Sequence, residues 1–149
     1  MKTVSKSVLI WYRPEEMYAL VTDVASYPQF LPWCDRARVL DLNDEGMTAE
    51  VGIAIGGVRQ TFVTRNLHTP ARAVDMTLVR GPFSSLDGHW RFLALGDGSM
   101  RACKVELNLR YGFENLTLAK VVGPVFDRIA ASLVDAFVKR AGQVYPDLP

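Results

Sequence analysis

The sequence has little of what reactive, metal-binding or disulfide-linked proteins need. Among its 149 residues are only two cysteines, Cys34 and Cys103, and only two histidines, His68 and His89. No C-x-x-C, H-E-x-x-H, G-x-x-x-x-G-K-[ST] or G-x-S-x-G motif occurs, so the common signatures of metal, P-loop and serine hydrolase sites are missing. Two distant cysteines without paired spacing are typical of a reduced protein, and we expect a cytoplasmic one.

Long apolar runs and a strong charge of one sign are also absent. No run approaches the roughly 18 residues of a membrane span. The N-terminal segment has neither a long apolar stretch nor a small-residue cleavage site, so we expect no secretory signal. The net charge of +1, with 49% hydrophobic and 22% charged residues, predicts a single globular domain over residues 1–149. Basic residues are nevertheless concentrated between residues 57 and 113, where eight occur with four acids.

Apolar patterning predicts the order strand, two short helices, about six strands and one long helix. The strands are predicted at residues 4–12, 36–42, 47–55, 58–68, 73–80, 83–95 and 100–113, and the short helices at Pro14 and around residues 29–31. Gly56-Gly57 and Gly96-Asp97-Gly98 are typical of tight hairpin turns, because glycine adopts positive φ angles without strain. Strands joined by hairpins form an antiparallel sheet.

The last predicted element is a long amphipathic helix that Asn115 can cap. Its apolar residues recur at helical spacing, in the stripe Val122, Phe126, Ile129, Leu133 and Phe137. Gly123-Pro124 either kinks this helix or marks its true start. Because the stripe must be buried, we predict an α+β fold in which a curved antiparallel sheet of six to seven strands wraps around the C-terminal helix. The tail from Tyr145 onward is predicted to be loose.

Few side chains qualify as catalytic. His68 and His89 fall on different predicted strands, and Cys34 has no nearby base that would lower its pKa. We therefore predict ordinary structural roles for all three, with no catalytic residue and no metal site. The carboxylates of the predicted strands are expected to be solvent-facing charges: Asp75, Asp87 and Glu106.

Two aromatic segments stand out. One is Tyr27-Pro28-Gln29-Phe30-Leu31-Pro32-Trp33-Cys34, and the other begins at Gly81-Pro82-Phe83 and continues to Trp90 and Phe92. Taken by themselves, these residues fit a packed core and the apolar wall of a ligand cavity equally well.

The same segments carry a family resemblance that covers nearly the whole chain. Tyr27-Pro28 with Phe30-Leu31-Pro32-Trp33-Cys34, Gly81-Pro82-Phe83 with Leu86, and Trp90 with Phe92 resemble the markers of the START-like, helix-grip superfamily. The resemblance is strongest to the branch that contains the coenzyme Q-binding proteins and the bacterial ribosome association toxin. That branch is often labelled oligoketide cyclase/lipid transport proteins.

The resemblance implies a ligand cavity between the curved sheet and the long helix, with no cofactor required. We predict that the cavity binds a hydrophobic molecule, foremost ubiquinone, which the protein would carry to respiratory partners without catalysis. Burying each CH₂ contributes about 0.8 kcal/mol, so an apolar tunnel is sufficient for binding. The residues expected to line it are Phe30, Trp33, Phe62, Met76, Leu78, Phe83, Leu86, Trp90, Phe126, Ile129 and Leu133.

Two other functions stay open. The toxin in this branch implies inhibition of translation by binding to the large ribosomal subunit, which blocks association of the subunits. The arginine–phosphate contacts would come from Arg59, Arg65, Arg80 and Arg91. The third function is that of a polyketide aromatase or cyclase, for which the sequence offers no clear acid or base. The lack of a mitochondrial presequence leads us to expect a bacterial cytoplasmic protein, with a peripheral position at the inner membrane as the alternative.

Overall fold

The structure is a computed structural model that describes residues 1–145. One seven-stranded sheet contains β1 (Lys2–Ile10), β2 (Cys34–Asn43), β3 (Gly46–Ile55), β4 (Val58–Thr69), β5 (Ala73–Arg80), β6 (Phe83–Ala94) and β7 (Cys103–Phe113). The helices are α1 (Pro14–Thr22), a 3₁₀ helix (Val24–Gln29), α2 (Leu116–Val121) and α3 (Gly123–Val144). The predicted α+β class is confirmed. No helix within these residues combines the length and the apolar character that crossing a membrane requires.

The sheet is a curved antiparallel meander that grips α3. Its strand order is β1-β7-β6-β5-β4-β3-β2, and every neighbouring pair is antiparallel. Strands β2 to β7 follow one another along the chain, whereas β1 pairs with β7, so β1 and β2 form the edges. Because side chains alternate along a strand, each strand has an inner face toward α3 and an outer face away from it.

Both predicted hairpin turns are confirmed. Gly56 and Gly57 join β3 to β4 with φ angles of +58° and +80°. Gly96 and Gly98, between β6 and β7, have φ angles of +63° and +83°. Residues with a side chain rarely adopt such angles, so the positions of the glycines determine where these turns form.

The second short helix differs from the prediction. It is a 3₁₀ helix over Val24–Gln29 rather than a turn around residues 29–31. The N–H groups of Phe30 and Leu31 both donate to the Tyr27 carbonyl, at 3.2 and 2.9 Å, and these bonds end the helix. Pro28 fits inside it because the φ angle that proline fixes suits a 3₁₀ turn.

The ends of several strands shift by one to three residues. β7 begins at Cys103 rather than at residue 100. The Asp97 carboxylate accepts a hydrogen bond from the Ser99 N–H at 2.9 Å, which holds this segment in the turn. β1 ends at Ile10 rather than at residue 12, since the chain turns there toward the start of α1 at Pro14.

Gly123-Pro124 marks the start of α3, which was one of the two predicted alternatives. The single long helix is in fact two, because α2 ends at Val121 and α3 begins at Gly123. Asn115 caps α2 by accepting a hydrogen bond from the Leu118 N–H at 2.9 Å. Proline is accommodated at the beginning of α3 because the first turn of a helix has no intrahelical acceptors for its N–H groups.

The apolar stripe of the C-terminal helix is buried against the inner face of the sheet, as predicted. Phe126, Ile129 and Phe137 are buried and Leu133 is half-buried, while Val122 is buried just before α3 begins. Burying each large apolar side chain contributes roughly 1.5–3 kcal/mol, so the contact between α3 and the sheet dominates the core.

The start of the tail is anchored rather than loose. The Tyr145 hydroxyl donates to the Glu16 carbonyl at 2.7 Å, and the Tyr145 ring lies 5.9 Å from that of Tyr12. The remainder of the tail, residues 146–149, lies outside the described residues.

Gly46 permits a close approach of β3 to β4. A Cβ atom there would lie 1.9 Å from the carbonyl oxygen of Asn66, and that oxygen belongs to the backbone of a paired strand. We expect Gly46→Ala to lower the free energy of unfolding, measured with urea, by about 2 kcal/mol or more. Gly142→Ala is the control, because its Cβ would meet only the Tyr12 hydroxyl at 3.9 Å. Equal stability of the two variants would contradict this close approach.

Candidate functional site

A largely enclosed apolar cavity of about 80 Å³ lies between α3 and the inner face of the sheet. Its walls come from α3, from strands β3 to β7 and from the segment around the 3₁₀ helix. Eight of the eleven residues predicted to bind a ligand line this cavity: Trp33, Phe62, Met76, Leu86, Trp90, Phe126, Ile129 and Leu133.

Three residues predicted to line the cavity lie elsewhere. Phe83 belongs to an adjoining aromatic cluster, with its ring centroid 4.9 Å from that of Phe126 and 5.2 Å from that of Phe113. Leu78 is half-buried and packs against the core without reaching the cavity, and Phe30 lies in an outer groove. Alternation along a strand identifies the inner face but not the position of a void along that face.

The sequence analysis missed the polar part of the wall, which Thr64 and Asn66 provide. Both side chains are only 5% exposed, and the Thr64 hydroxyl donates to the Asn66 side-chain oxygen at 2.7 Å. Both follow Phe62 at alternate positions of β4, so the strand period of two could have placed them on the inner face. The other wall residues that were missed are Val24, Tyr27, Ala49, Val51, Leu109, Ala130 and Phe137.

An open groove of about 580 Å³ lies outside the cavity, between α3 and the segment that follows the 3₁₀ helix. Trp33 lines both the cavity and the groove. Phe30 lines the groove, with the Arg140 guanidinium 5.1 Å from its ring centroid and bonded to the Gln29 side chain.

The cysteine and histidine side chains lie outside the cavity wall. Burial raises the pKa of the Cys34 thiol to about 11, so it is protonated at neutral pH and is not an activated nucleophile. Burial also lowers the pKa of His68, whose Nε2 atom is buried without a hydrogen-bond partner. His89 lies on the opposite, outer face, with Nδ1 at 2.7 Å from the Asp75 carboxylate. Among residues 1–145, no group of three potential metal ligands occurs.

The outer face of the sheet carries all four arginines predicted to contact the ribosome. Arg59 is held by Asp35 and Arg91 by Asp75, each at 2.7 Å. Arg80 forms no ion pair with any residue in the described part of the chain. The four side chains are those of Arg59, Arg65, Arg80 and Arg91.

Strand β2 adds two arginines to this face that the sequence analysis did not select. Arg38 pairs with Glu50 at 2.9 Å, and Arg36 crosses Gly52 to bond with Thr61. A Cβ atom at Gly52 would lie 2.4 Å from the Asp35 carboxylate and 2.9 Å from the Arg36 side chain, so the glycine leaves room for both. Carboxylates share the same face, which is therefore rich in arginine but mixed in charge: Asp75, Asp87 and Glu106.

Comparison with known proteins identifies the family. The family described as polyketide cyclase / dehydrase and lipid transport matches residues 10–138. The chain belongs to this family. The ribosome association toxin RatA of Escherichia coli strain K12 is 43% identical to it over 145 residues, which cover 97% of this chain and 90% of that protein.

Two further likenesses are more distant. The mitochondrial coenzyme Q-binding protein COQ10 homolog B of Xenopus laevis is 29% identical over 142 residues, which cover 95% of this chain and 58% of that protein. A START superfamily protein from Mycobacterium smegmatis has a structure that matches with a TM-score of 0.78 at 20% identity, over 96% of this chain and 99% of that one. The predicted START-like, helix-grip fold is confirmed. The two sequence relatives are named for ribosome association and coenzyme Q binding, not for catalysis.

Ile129 provides a test of whether the cavity is usable space. It is buried in α3 and lines the cavity. Because the extra volume of an indole is of the same order as the cavity, we expect Ile129→Trp to fill it. The loss of unfolding free energy should then stay below the roughly 1–3 kcal/mol that is typical of overpacking. Val134→Trp, which is buried in α3 outside the cavity wall, should show that full loss in the same urea experiment. Equal losses in the two variants would show that no such space exists.

Proposed function

We propose that this protein associates with ribosomes through the arginine-rich outer face of its sheet. The expected target is the large subunit, and the expected consequence is inhibition of translation by blocking subunit association. The observation that carries this proposal is the high identity, over almost the whole chain, to a protein named a ribosome association toxin. The sequence by itself favours ubiquinone binding, and we place ribosome association first because of this likeness.

The chemistry of the outer face supports contact with ribosomal RNA. A guanidinium donates to phosphate oxygens in a bidentate geometry, and neutralising phosphates releases their counterions. Arg80 is exposed and forms no ion pair within residues 1–145, so it is available without breaking a bond. The ion pair of Arg59 with Asp35 is a surface pair, and such pairs are weak enough for a phosphate to replace the carboxylate. A ribosomal target also implies that the protein acts in the cytoplasm.

Salt dependence and one arginine provide the test of ribosome association. Co-sedimentation with purified large subunits should weaken steeply between roughly 50 and 200 mM salt, because counterions return to the RNA. If Arg80 contacts one phosphate, Arg80→Ala should lower the slope of log affinity against log salt by about 1. Arg128→Ala, which removes an exposed cation from α3, is the matched control and should change nothing. If the protein does not co-sediment with large subunits at any salt concentration, ribosome association is refuted. If the two variants have equal effects, the outer face of the sheet is not the binding surface.

A second candidate function is the binding of a hydrophobic ligand, foremost ubiquinone, in the cavity. The observation that favours it is the apolar space between α3 and the sheet, together with a relative named a coenzyme Q-binding protein. Since the space measures about 80 Å³, it is smaller than the roughly 150 Å³ that admits benzene in an engineered cavity. A quinone ring would therefore have to displace side chains. Met76 is suited to this because an unbranched thioether adapts its shape, and Trp33 could open the wall.

Neither candidate function requires catalysis, and we propose that the protein is not an enzyme. A cyclase needs an acid or base at the substrate. Within the described residues, no carboxylate, imidazole, amine or thiol lines the cavity. The polar side-chain groups of its wall are hydroxyl, amide and indole groups, as in Tyr27, Asn66 and Trp90. The Tyr27 hydroxyl, the one acidic group among these three, donates to the Val21 carbonyl, and burial raises its pKa, so it is poorly suited to proton transfer.

Lipid retention provides the test of ligand binding. Native mass spectrometry of gently purified wild-type protein should show a bound lipid that organic extraction removes. Ile129→Trp should lose this lipid while it stays folded, because the indole occupies the cavity. Val134→Trp leaves the cavity free and should retain the lipid. A wild-type protein that carries no lipid and binds no added quinone would exclude this candidate.

A further inference from the structure

We propose that Thr64 and Asn66 form a polar subsite for a mostly apolar ligand. At this subsite the side-chain amide of Asn66 donates a hydrogen bond to a neutral carbonyl oxygen of the ligand. This inference rests on the second candidate function, ligand binding in the cavity, and it specifies the chemical class of the ligand. A hydrogen-bond donor without a partner in the chain, on a side chain that lines the cavity, carries it.

The Asn66 side chain is held in place yet leaves its donor unused. The Thr64 hydroxyl donates to the amide oxygen at 2.7 Å, and both residues are 5% exposed. The amide nitrogen of asparagine can donate two hydrogen bonds. No group in the described part of the chain accepts either of them. Buried polar groups almost always have partners, because an unpaired one is unfavourable. The Asn66 nitrogen is not among the fully buried atoms and its side chain lines the cavity, so it can bond to a molecule that enters the cavity.

The residues next to this pair leave room for an oxygen but offer no charge. On β3, Ala49 lies opposite Thr64 and Met47 lies opposite Asn66, and on β5 Met76 lies opposite Asn66. The small side chain of Ala49, which also lines the cavity, leaves space beside the hydroxyl. Among the described residues, no lysine, arginine or histidine lines the cavity, so a carboxylate or phosphate would enter without a counter-charge. The ligand oxygen is therefore neutral, as in a quinone, ketone or ester.

A trapped water molecule is the competing partner for the amide. The cavity is large enough for one, and a buried water needs two to four polar partners. The Asn66 nitrogen and the Thr64 hydroxyl oxygen would supply two. A ligand carbonyl that displaces such a water restores the same hydrogen bond, whereas a hydrocarbon does not. A higher affinity for a ligand with a carbonyl group than for a hydrocarbon of similar shape therefore shows that the ligand carbonyl, and not only water, bonds to the amide.

The experiment compares two probes on one double variant. The probes are decylubiquinone, which has carbonyl oxygens, and decylbenzene, which has none. Thr64→Val/Asn66→Leu removes donor and acceptor together with little change of shape, so neither group is left unpaired. Isothermal titration should show that the double variant weakens decylubiquinone binding by about tenfold, as expected for the loss of one or two hydrogen bonds. Decylbenzene should bind equally well or better. Thr77→Val, on an exposed outer-face threonine, is the control.

Each result bears on the subsite in a defined way. A selective loss of quinone affinity supports it. An equal loss for both probes, or no loss for either, overturns the subsite but leaves ligand binding in place. Failure of wild-type protein to bind either probe overturns ligand binding and the subsite together. The ligand-free double variant should melt at the same or a higher temperature. If the double variant does not fold, Asn66→Leu alone is titrated with both probes. A loss of affinity for decylubiquinone but not for decylbenzene then supports the subsite, and any other result overturns it.

Discussion

The burial of the apolar face of α3 by the curved sheet is the contact on which the rest of the structure depends. Most of the stability of a helix in a protein comes from the packing of its apolar face rather than from its intrinsic propensity. Side-chain bonds hold both ends of it. Near its start, Asp127 accepts a hydrogen bond from the Tyr111 hydroxyl at 2.5 Å and pairs with Lys2, which joins α3 to β7 and β1. Just after its end, Tyr145 bonds to the Glu16 carbonyl and joins it to α1.

The cavity is the space that this contact leaves unfilled. Aromatic rings lie at one side of it, where Phe83 stacks on Phe113 and contacts Phe126 edge-on. Smaller side chains such as those of Ala49 and Ala130 border the void. Protein interiors are otherwise close-packed. At about 24 cal/mol per Å³, a void of about 80 Å³ lowers stability by roughly 2 kcal/mol. A bound ligand would recover that stability, so the void is consistent with a binding function.

The sheet has an apolar face toward the cavity and an arginine-rich outer face, because side chains alternate along each strand. On β4, Phe62 and Asn66 point toward the cavity, whereas Arg59 and Arg65 belong to the outer face. The proposed ribosome association and the proposed ligand binding would therefore use opposite sides of the same strands. Each proposed function can therefore be examined by substitutions on its own side of the sheet.

The amino-acid sequence by itself determined the class of fold, the hairpins and the buried stripe of α3. These follow from local properties, namely the period of the apolar residues and the positive φ angles that Gly56 and Gly57 adopt. It also identified eight of the seventeen residues that line the cavity, since the family resemblance and the inner-face pattern agree on those eight. Only the tertiary structure decided that Phe62 reaches the cavity and Leu78 does not, although both lie on the inner face. Only the fold showed that Asn66 keeps an unused donor. Both outcomes depend on the curvature of the sheet and on the volumes of side chains from distant segments, and no local pattern contains either quantity.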